Sequence, residues 1–318
     1  MKTGKSEPFF ILGLPNTATS TLVGIVNSHP EILVCYETWS LPPRLTNYSS
    51  KLCAAFPEVR RMFSGSLNLP DSYAAMGGVL AAQGHSYRYI GDKVVSFTFD
   101  EMTSLAETRA VYITRPLTEW LIKREVRRAY GTDLDAVTPA LHYLRCLAFA
   151  NTRPRWLRVS MQNLMSNPRG FISKLAAALD LLPGDFDHSW WNSLQNYKDP
   201  VKNSMKWADA HPSSLMPPQH IPDIKYRLTS HPFWSDVADT AEDLLNRMEG
   251  GISDNEAAEL EMKFQAIADR YPSIPLQALY SEFSEKRHTP YVQPKSLKHR
   301  ILDRVSGWPL NKILRRPA

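Results

Sequence analysis

Over its first 180 residues the sequence alternates short β-type apolar runs with stretches of helical periodicity, and few folds accommodate that order. Residues 9–12, 32–35, 87–90, 110–114 and 156–159 read as strands; residues 20–28, 72–82, 97–106, 117–129, 135–151 and 168–181 read as helices. A strand that feeds a helix and then another strand crosses over to a parallel neighbour. The pattern therefore predicts an α/β fold, an open, mainly parallel sheet flanked by helices on both faces. Two more helices are predicted at 236–248 and 255–271, the second capped by Ser253 with Glu256 three residues on. Between 183 and 234, Pro, Trp, His and Asn accumulate with weak periodicity, which predicts long loops over the domain.

Composition adds exclusions. With 318 residues, 43% hydrophobic and 22% charged, the chain can bury its own core and is neither disordered nor fibrous. Its three cysteines, Cys35, Cys53 and Cys146, form no CxxC pair, so a disulfide framework or zinc site is not indicated and a reducing compartment fits. The first seven residues are polar and the apolar stretch 8–14 stops at Pro15, which predicts no signal peptide or anchor and a cytoplasmic location. Residues 295–318 carry seven basic side chains against Asp303, a net +6 within an overall +5, so residues 1–294 sum to −1. A near-neutral body argues against nucleic-acid binding. We read 1–294 as a single domain, with a core at 8–182 and a loop and helical extension at 183–294, followed by a basic tail.

The most informative segment is residues 9–22. A buried strand ends at Gly13, a turn containing Pro15 follows, and Thr17, Thr19, Ser20 and Thr21 open a helix whose apolar face continues through Leu22, Ile25 and Val26. Free backbone N–H groups at such a helix start, with the positive end of its dipole, make an anion site. An ordinary strand-to-helix turn capped by Thr and Ser is the alternative. A nucleotide-triphosphatase loop would place a lysine before the hydroxyl, and none is present.

Here the sequence resembles the sulfotransferase family, which transfers a sulfuryl group from 3′-phosphoadenosine-5′-phosphosulfate (PAPS). Members carry Gly-x-Pro-Arg/Lys-Ser-Gly-Thr-Thr after the first strand; this chain has Gly13-Leu14-Pro15-Asn16-Thr17-Ala18-Thr19-Ser20, then His29-Pro30 and Glu37. Gly91-Asp92-Lys93 is similar to the family's Gly-(Asp/Glu)-Lys strand end, 111–117 to its Arg-Asp-Pro block, and 156–182 to its block of Glu-Asp-Leu, Pro, helix and Leu-Gly-Leu. The resemblance spans roughly residues 8–182 and implies a sulfotransferase-like, P-loop-like fold.

It also implies roles. The loop Pro15, Asn16, Thr17, Ala18, Thr19, Ser20 and Thr21 would hold the 5′-phosphosulfate of the co-substrate PAPS, with no metal. Arg115, supported by Lys123 or Arg124, would bind the 3′-phosphate. Aligned on Pro116, Thr114 and Ile122 take the places of the family's arginine and serine. Glu37 matches the base that removes the acceptor proton, and Lys93 the lysine that assists at the sulfate. Asn16 stands where relatives carry a cation; it can donate a hydrogen bond without charge. Gln162 and Asn163 replace the family's Glu-Asp.

Two classes of function follow: a working sulfotransferase acting on a hydroxyl-bearing acceptor, or a sulfotransferase-like nucleotide-binding protein without catalysis. Trp39, Tyr48, Trp190, Trp191, Tyr197, Trp207 and Trp234 offer aromatic surfaces on which a saccharide acceptor could stack, though core packing is the commoner use of such residues. In the tail, Leu297, Ile301, Leu302, Val305 and Trp308 recur near every fourth residue among Lys298, Arg300 and Arg304. This basic amphipathic stripe either docks on the domain or makes a weak, peripheral contact with an anionic membrane surface.

Overall fold

A computed structural model of the chain describes residues 6–40, 44–45, 50–62, 68–95, 97–128, 136–187, 201–202 and 229–274. The chain divides into two units, Met1–Leu279 and Tyr280–Ala318; the second, which holds the basic tail, lies outside the described residues. So do 188–200 and 203–228, with Trp190, Trp191, Tyr197 and Trp207, and so does Tyr48.

The first strand, β1 (Glu7–Leu12), is apolar from Phe9 onward because it sits mid-sheet with both faces covered. After it come α1 (Thr19–Val26), β2 (Ile32–Tyr36), a two-residue hairpin β3 (Trp39–Ser40) and β4 (Arg44–Leu45), and helices α2 (Ser50–Ala55), α3 (Val59–Met62) and α4 (Leu69–Ala82). The chain continues through β5 (Tyr89–Val94), α5 (Phe99–Thr103), β6 (Arg109–Thr114), α6 (Leu117–Arg128), α7 (Val137–Thr152), β7 (Trp156–Ser160), α8 (Met161–Ser166) and α9 (Pro168–Leu179). A 3-10 turn at Pro183–Asp185 precedes α10 (Pro232–Asn246) and α11 (Asp254–Arg270).

Five strands form one sheet in the order β2-β5-β1-β6-β7, every pair parallel. Consecutive strand residues point to opposite faces. Accordingly Phe10 meets Tyr73 of α4 edge-on at 5.7 Å, while its neighbour Phe9 meets Tyr89, whose hydroxyl donates to the Leu179 carbonyl of α9. Helices thus cover both faces, as the alternation of elements predicts.

The edge strand β2 is tied to α1 by Asn27: its amide donates to Val34 O at 2.8 Å and accepts from Val34 N at 2.7 Å, standing in for a neighbouring strand. The carbonyls of Asn27 and His29, at the end of α1, accept from the buried ammonium of Lys202 at 2.9 and 2.7 Å, a cation at the negative pole of the helix.

Several bounds differ from the sequence reading. The third long strand runs 89–94 instead of 87–90, because Gly-Asp-Lys continues it: a Cβ on Gly91 would lie 1.8 Å from Phe9 O, and Asp92 and Lys93 are buried with partners. The predicted helix 97–106 shortens to 99–103, since Thr98 and Glu101 form a capping box that fixes its start. Helix α10 begins at Pro232, four residues early, with the His231 ring accepting from Phe233 N. The Ser253–Glu256 capping box of α11 is present as expected. Trp234 is buried in α10, so it packs the core. All three cysteines are unpaired, and no helix of the described residues is long and apolar enough to cross a membrane.

Candidate functional site

The path of the chain through the sheet decides where a site can form. From β1 it leaves toward β2 and β5 on one side; from β6 it leaves toward β7 on the other. The loops that follow β1 and β6 therefore part at the carboxyl ends of two adjacent strands, where open α/β sheets bind ligands.

The loop after β1 is tightly folded. Gly13 has no room for a side chain: a Cβ would lie 2.6 Å from Ile113 O and 2.8 Å from Thr17 Oγ1. The Thr17 hydroxyl and amide both donate to Leu14 O, at 2.7 and 3.3 Å, and Thr17 is fully buried. Its hydroxyl therefore closes the turn through the Leu14 carbonyl. Asn16 and Ala18 have φ of 71° and 70°. Asn tolerates the left-handed region, whereas Ala there costs about 1–2 kcal/mol. The αL residue Ala18 occupies the N-cap position of α1, and no side chain caps that helix. Its first-turn N–H groups face the end of the loop, and Ser20 and Thr21 in that turn are half-exposed. Thr19 is buried.

The register of the sheet brings two predicted residues to this loop. Lys93 lies level with Tyr36 of β2 and with Ile11 of β1, and Glu37 is the residue after Tyr36. Lys93 Nζ makes a 2.7 Å ion pair with Glu37 Oε1 and donates to Ser20 Oγ at 3.0 Å, so base candidate, lysine and loop hydroxyl form one chain. The Lys93 side chain is 1% exposed and that of Glu37 26%. Burial pushes the Lys93 ammonium below the ordinary lysine range, against the opposing pull of Glu37 and Asp92. Because the folded state then binds fewer protons than the unfolded chain, this group makes stability rise with pH between its lowered pKa and the lysine value of 10.5. Glu37 is itself in the left-handed region at φ 49°. Backbone strain of this kind persists where the surroundings hold it and gathers at functional sites.

Asp92, beside Lys93, is wholly buried; its Oδ1 accepts from Lys93 N at 2.8 Å. Burial first, and then the Asp92 charge, push both the Cys35 thiol and the Tyr73 hydroxyl well up, so neither ionises near neutrality. This cluster underlies the lysine.

On the other side of the loop, Thr114 is 1% exposed and donates to Tyr143 Oη at 3.1 Å, which turns it into the core. Ile122 is likewise buried. Neither takes over the ligand role that alignment on Pro116 suggests for it. Arg115 is half-buried at the end of β6, with Nη2 directed at the Met161 thioether of α8. Lys123 and Arg124 lie in α6, but their side chains fall outside the described residues. His29 and His85 precede β2 and β5, at the amino-terminal end of the sheet; His29 is buried, its Nδ1 accepting from Glu31 N, and His85 packs against Phe56. Asn163 donates its backbone N–H to Ser160 at the start of α8, and the Gln162 side-chain amide donates to Glu119, so both are structural.

Sequence reasoning missed Trp120 and Tyr143. Trp120 donates its indole N–H to Pro15 O at 3.0 Å, and Tyr143 donates to Arg115 O at 2.8 Å. In the sequence each is a large aromatic inside a helical segment, Trp120 early in α6 and Tyr143 midway along α7, and both read as core.

No family model and no curated protein matches the sequence. Among solved structures, the chain is similar to the sulfotransferase domain from the curacin biosynthetic pathway, at 15% identity and a TM-score of 0.41 over 77% of this chain and 98% of that one. It is also similar to the sulfotransferase domain from the Synechococcus PCC 7002 olefin synthase, at 16% identity and a TM-score of 0.38 over 78% and 97%.

Proposed function

We propose that the protein is a sulfotransferase that moves a sulfuryl group from PAPS to an acceptor hydroxyl. The observation that carries this reading is the continuous chain Glu37–Lys93–Ser20 at the mouth of an uncapped helix start. An anion-binding turn alone would suit any phosphate; a carboxylate placed beside it, across a buried lysine, suits a transfer that takes a proton from the acceptor.

In the proposed reaction the acceptor oxygen attacks sulfur in line. Its bond to sulfur forms as the bond between sulfur and the bridging phosphate oxygen breaks, and the acceptor proton passes to the Glu37 carboxylate. Charge growing on the leaving oxygen meets the N–H groups of Asn16 and of residues 18–20 and the Lys93 ammonium, fixed in a poorly hydrated setting where such donors act most strongly. Arg115 supplies a fixed guanidinium for the 3′-phosphate. The acceptor is a hydroxyl compound, with a saccharide as our choice of class, and the protein is cytoplasmic. Asn16 keeps a donor at a position that the backbone fold favours for Asn.

Titration calorimetry with 3′,5′-adenosine bisphosphate tests the reading. We expect saturable binding and a rise in melting temperature, both larger than with ATP. A folded protein that binds no bisphosphate at millimolar concentration overturns it.

A further inference from the structure

The two halves of the site come from loops a hundred residues apart, and an aromatic pair in the core joins them. Trp120 and Tyr143 are both wholly buried, with ring centroids 5.3 Å apart and planes inclined by 36°. The Trp120 backbone N–H donates to Pro116 O at 2.9 Å, which sets the first turn of α6 directly after Arg115. Its indole N–H reaches across to Pro15 O in the loop after β1. The Tyr143 hydroxyl accepts from Thr114 Oγ1 and donates to Arg115 O, so the turn that carries the guanidinium hangs on α7. Burial pushes the Tyr143 hydroxyl far above the usual phenol range, which keeps it a donor at every working pH.

Resting on the sulfotransferase reading above, we propose that Trp120 and Tyr143 are positioning residues. They set the spacing between the anion loop at 13–18 and the Arg115 turn, and so make the protein selective for a ligand with two separated anionic groups over one with a single group. Pro15 has no N–H and its carbonyl would otherwise be free to tilt; fixing it fixes the peptide that precedes Asn16. An anion held by the loop alone does not need the second half in register, whereas a nucleotide bisphosphate does, and misregister of even part of an ångström weakens a bidentate contact.

The test uses the full chain with Trp120→Phe, Tyr143→Phe and the double variant, each keeping a ring in place while removing one donor. Two probes are titrated, 3′,5′-adenosine bisphosphate and inorganic sulfate. Each single variant should weaken the bisphosphate about three- to tenfold, the worth of one net hydrogen bond, and leave sulfate within about twofold. The double variant should lose less than the product of the two single losses, since both donors serve one frame. Bisphosphate affinity unchanged in both single variants, or sulfate weakened as much as bisphosphate, overturns the proposal and makes the pair ordinary core. Wild-type protein that binds no bisphosphate fails one step earlier, removing the reading of the site and this inference with it.

Discussion

The carboxylate ion pairs at the two ends of one sheet are set in opposite surroundings. At the amino-terminal ends of the strands, Glu7 pairs with both Arg109 and Arg155, and Arg88 pairs with Asp180; each of these side chains is at least one third exposed. At the carboxyl ends, Lys93 is almost wholly buried against Glu37, and Asp92 lies out of solvent beside it. Water screens the first set, so it contributes little and depends on salt. The second is held where each charge interacts strongly and where desolvation must be offset by geometry. A fold that needed charge only for solubility would have no reason for the buried arrangement. Under the proposed function the first set belongs to the scaffold end and the second to the chemical end.

Four experiments would break or sharpen that contrast. The largest effect is expected at the chemical end: Glu37→Gln removes proton acceptance and keeps shape, so turnover of an acceptor should fall by about 10²–10⁴ while bisphosphate affinity stays within about twofold. Steady-state kinetics with calorimetry decide it, and unchanged turnover would strip Glu37 of its role. Next comes Gly13→Ala. Its Cβ would meet Ile113 O at 2.6 Å, and we expect a loss of about 1–3 kcal/mol in chemical denaturation together with weakened anion binding. A fully stable variant would mean that the loop yields more easily than its contacts indicate.

At the scaffold end, Glu7→Ala abolishes two ion pairs at once, yet the cost should stay below about 1 kcal/mol and shrink further in molar salt. A loss of several kcal/mol would erase the distinction between the two ends. The smallest effect is expected for Ala18→Gly. It relieves an alanine at φ 70° but gives back backbone entropy in the unfolded chain, so stability should rise by at most about 1 kcal/mol. A fall would show that the Ala18 methyl contributes packing worth more than its strain.

Much of this was legible in the sequence. Five apolar runs in α/β order gave the sheet, because a strand buried on both faces has to be apolar throughout, and the glycine, proline and hydroxyls after the first run gave the loop. The strand at 89–94 was read short because glycine, aspartate and lysine look like an exit; only the third dimension supplies Glu37 and Lys93 N–H as partners that let them stay inside. Thr17 is ambiguous in sequence for a related reason. A hydroxyl near a helix start can face a ligand or close its own turn, and the choice of the Leu14 carbonyl is made by the backbone path. The six-residue α8 is too short to carry a periodic signal, although it places Met161 against Arg115. Ser160 at its start is an ordinary capping residue, indistinguishable in sequence from a loop serine.

The lysine that closes the end of α1 bears on how far the chain can be divided. The main sheet is finished at Ser160, and by strand count a fragment ending soon after would seem whole. Yet the helix whose start faces the anion loop has the carbonyls of its C-cap Asn27 and of His29 in the following turn bound by Lys202, 175 and 173 residues further on. A piece cut before that lysine would leave these carbonyls without their cation and loosen α1 at the end opposite the site. The loop is thus tied through its helix to a distant lysine, and a shorter unit that ends before residue 202 is expected to be less stable than one that extends past it.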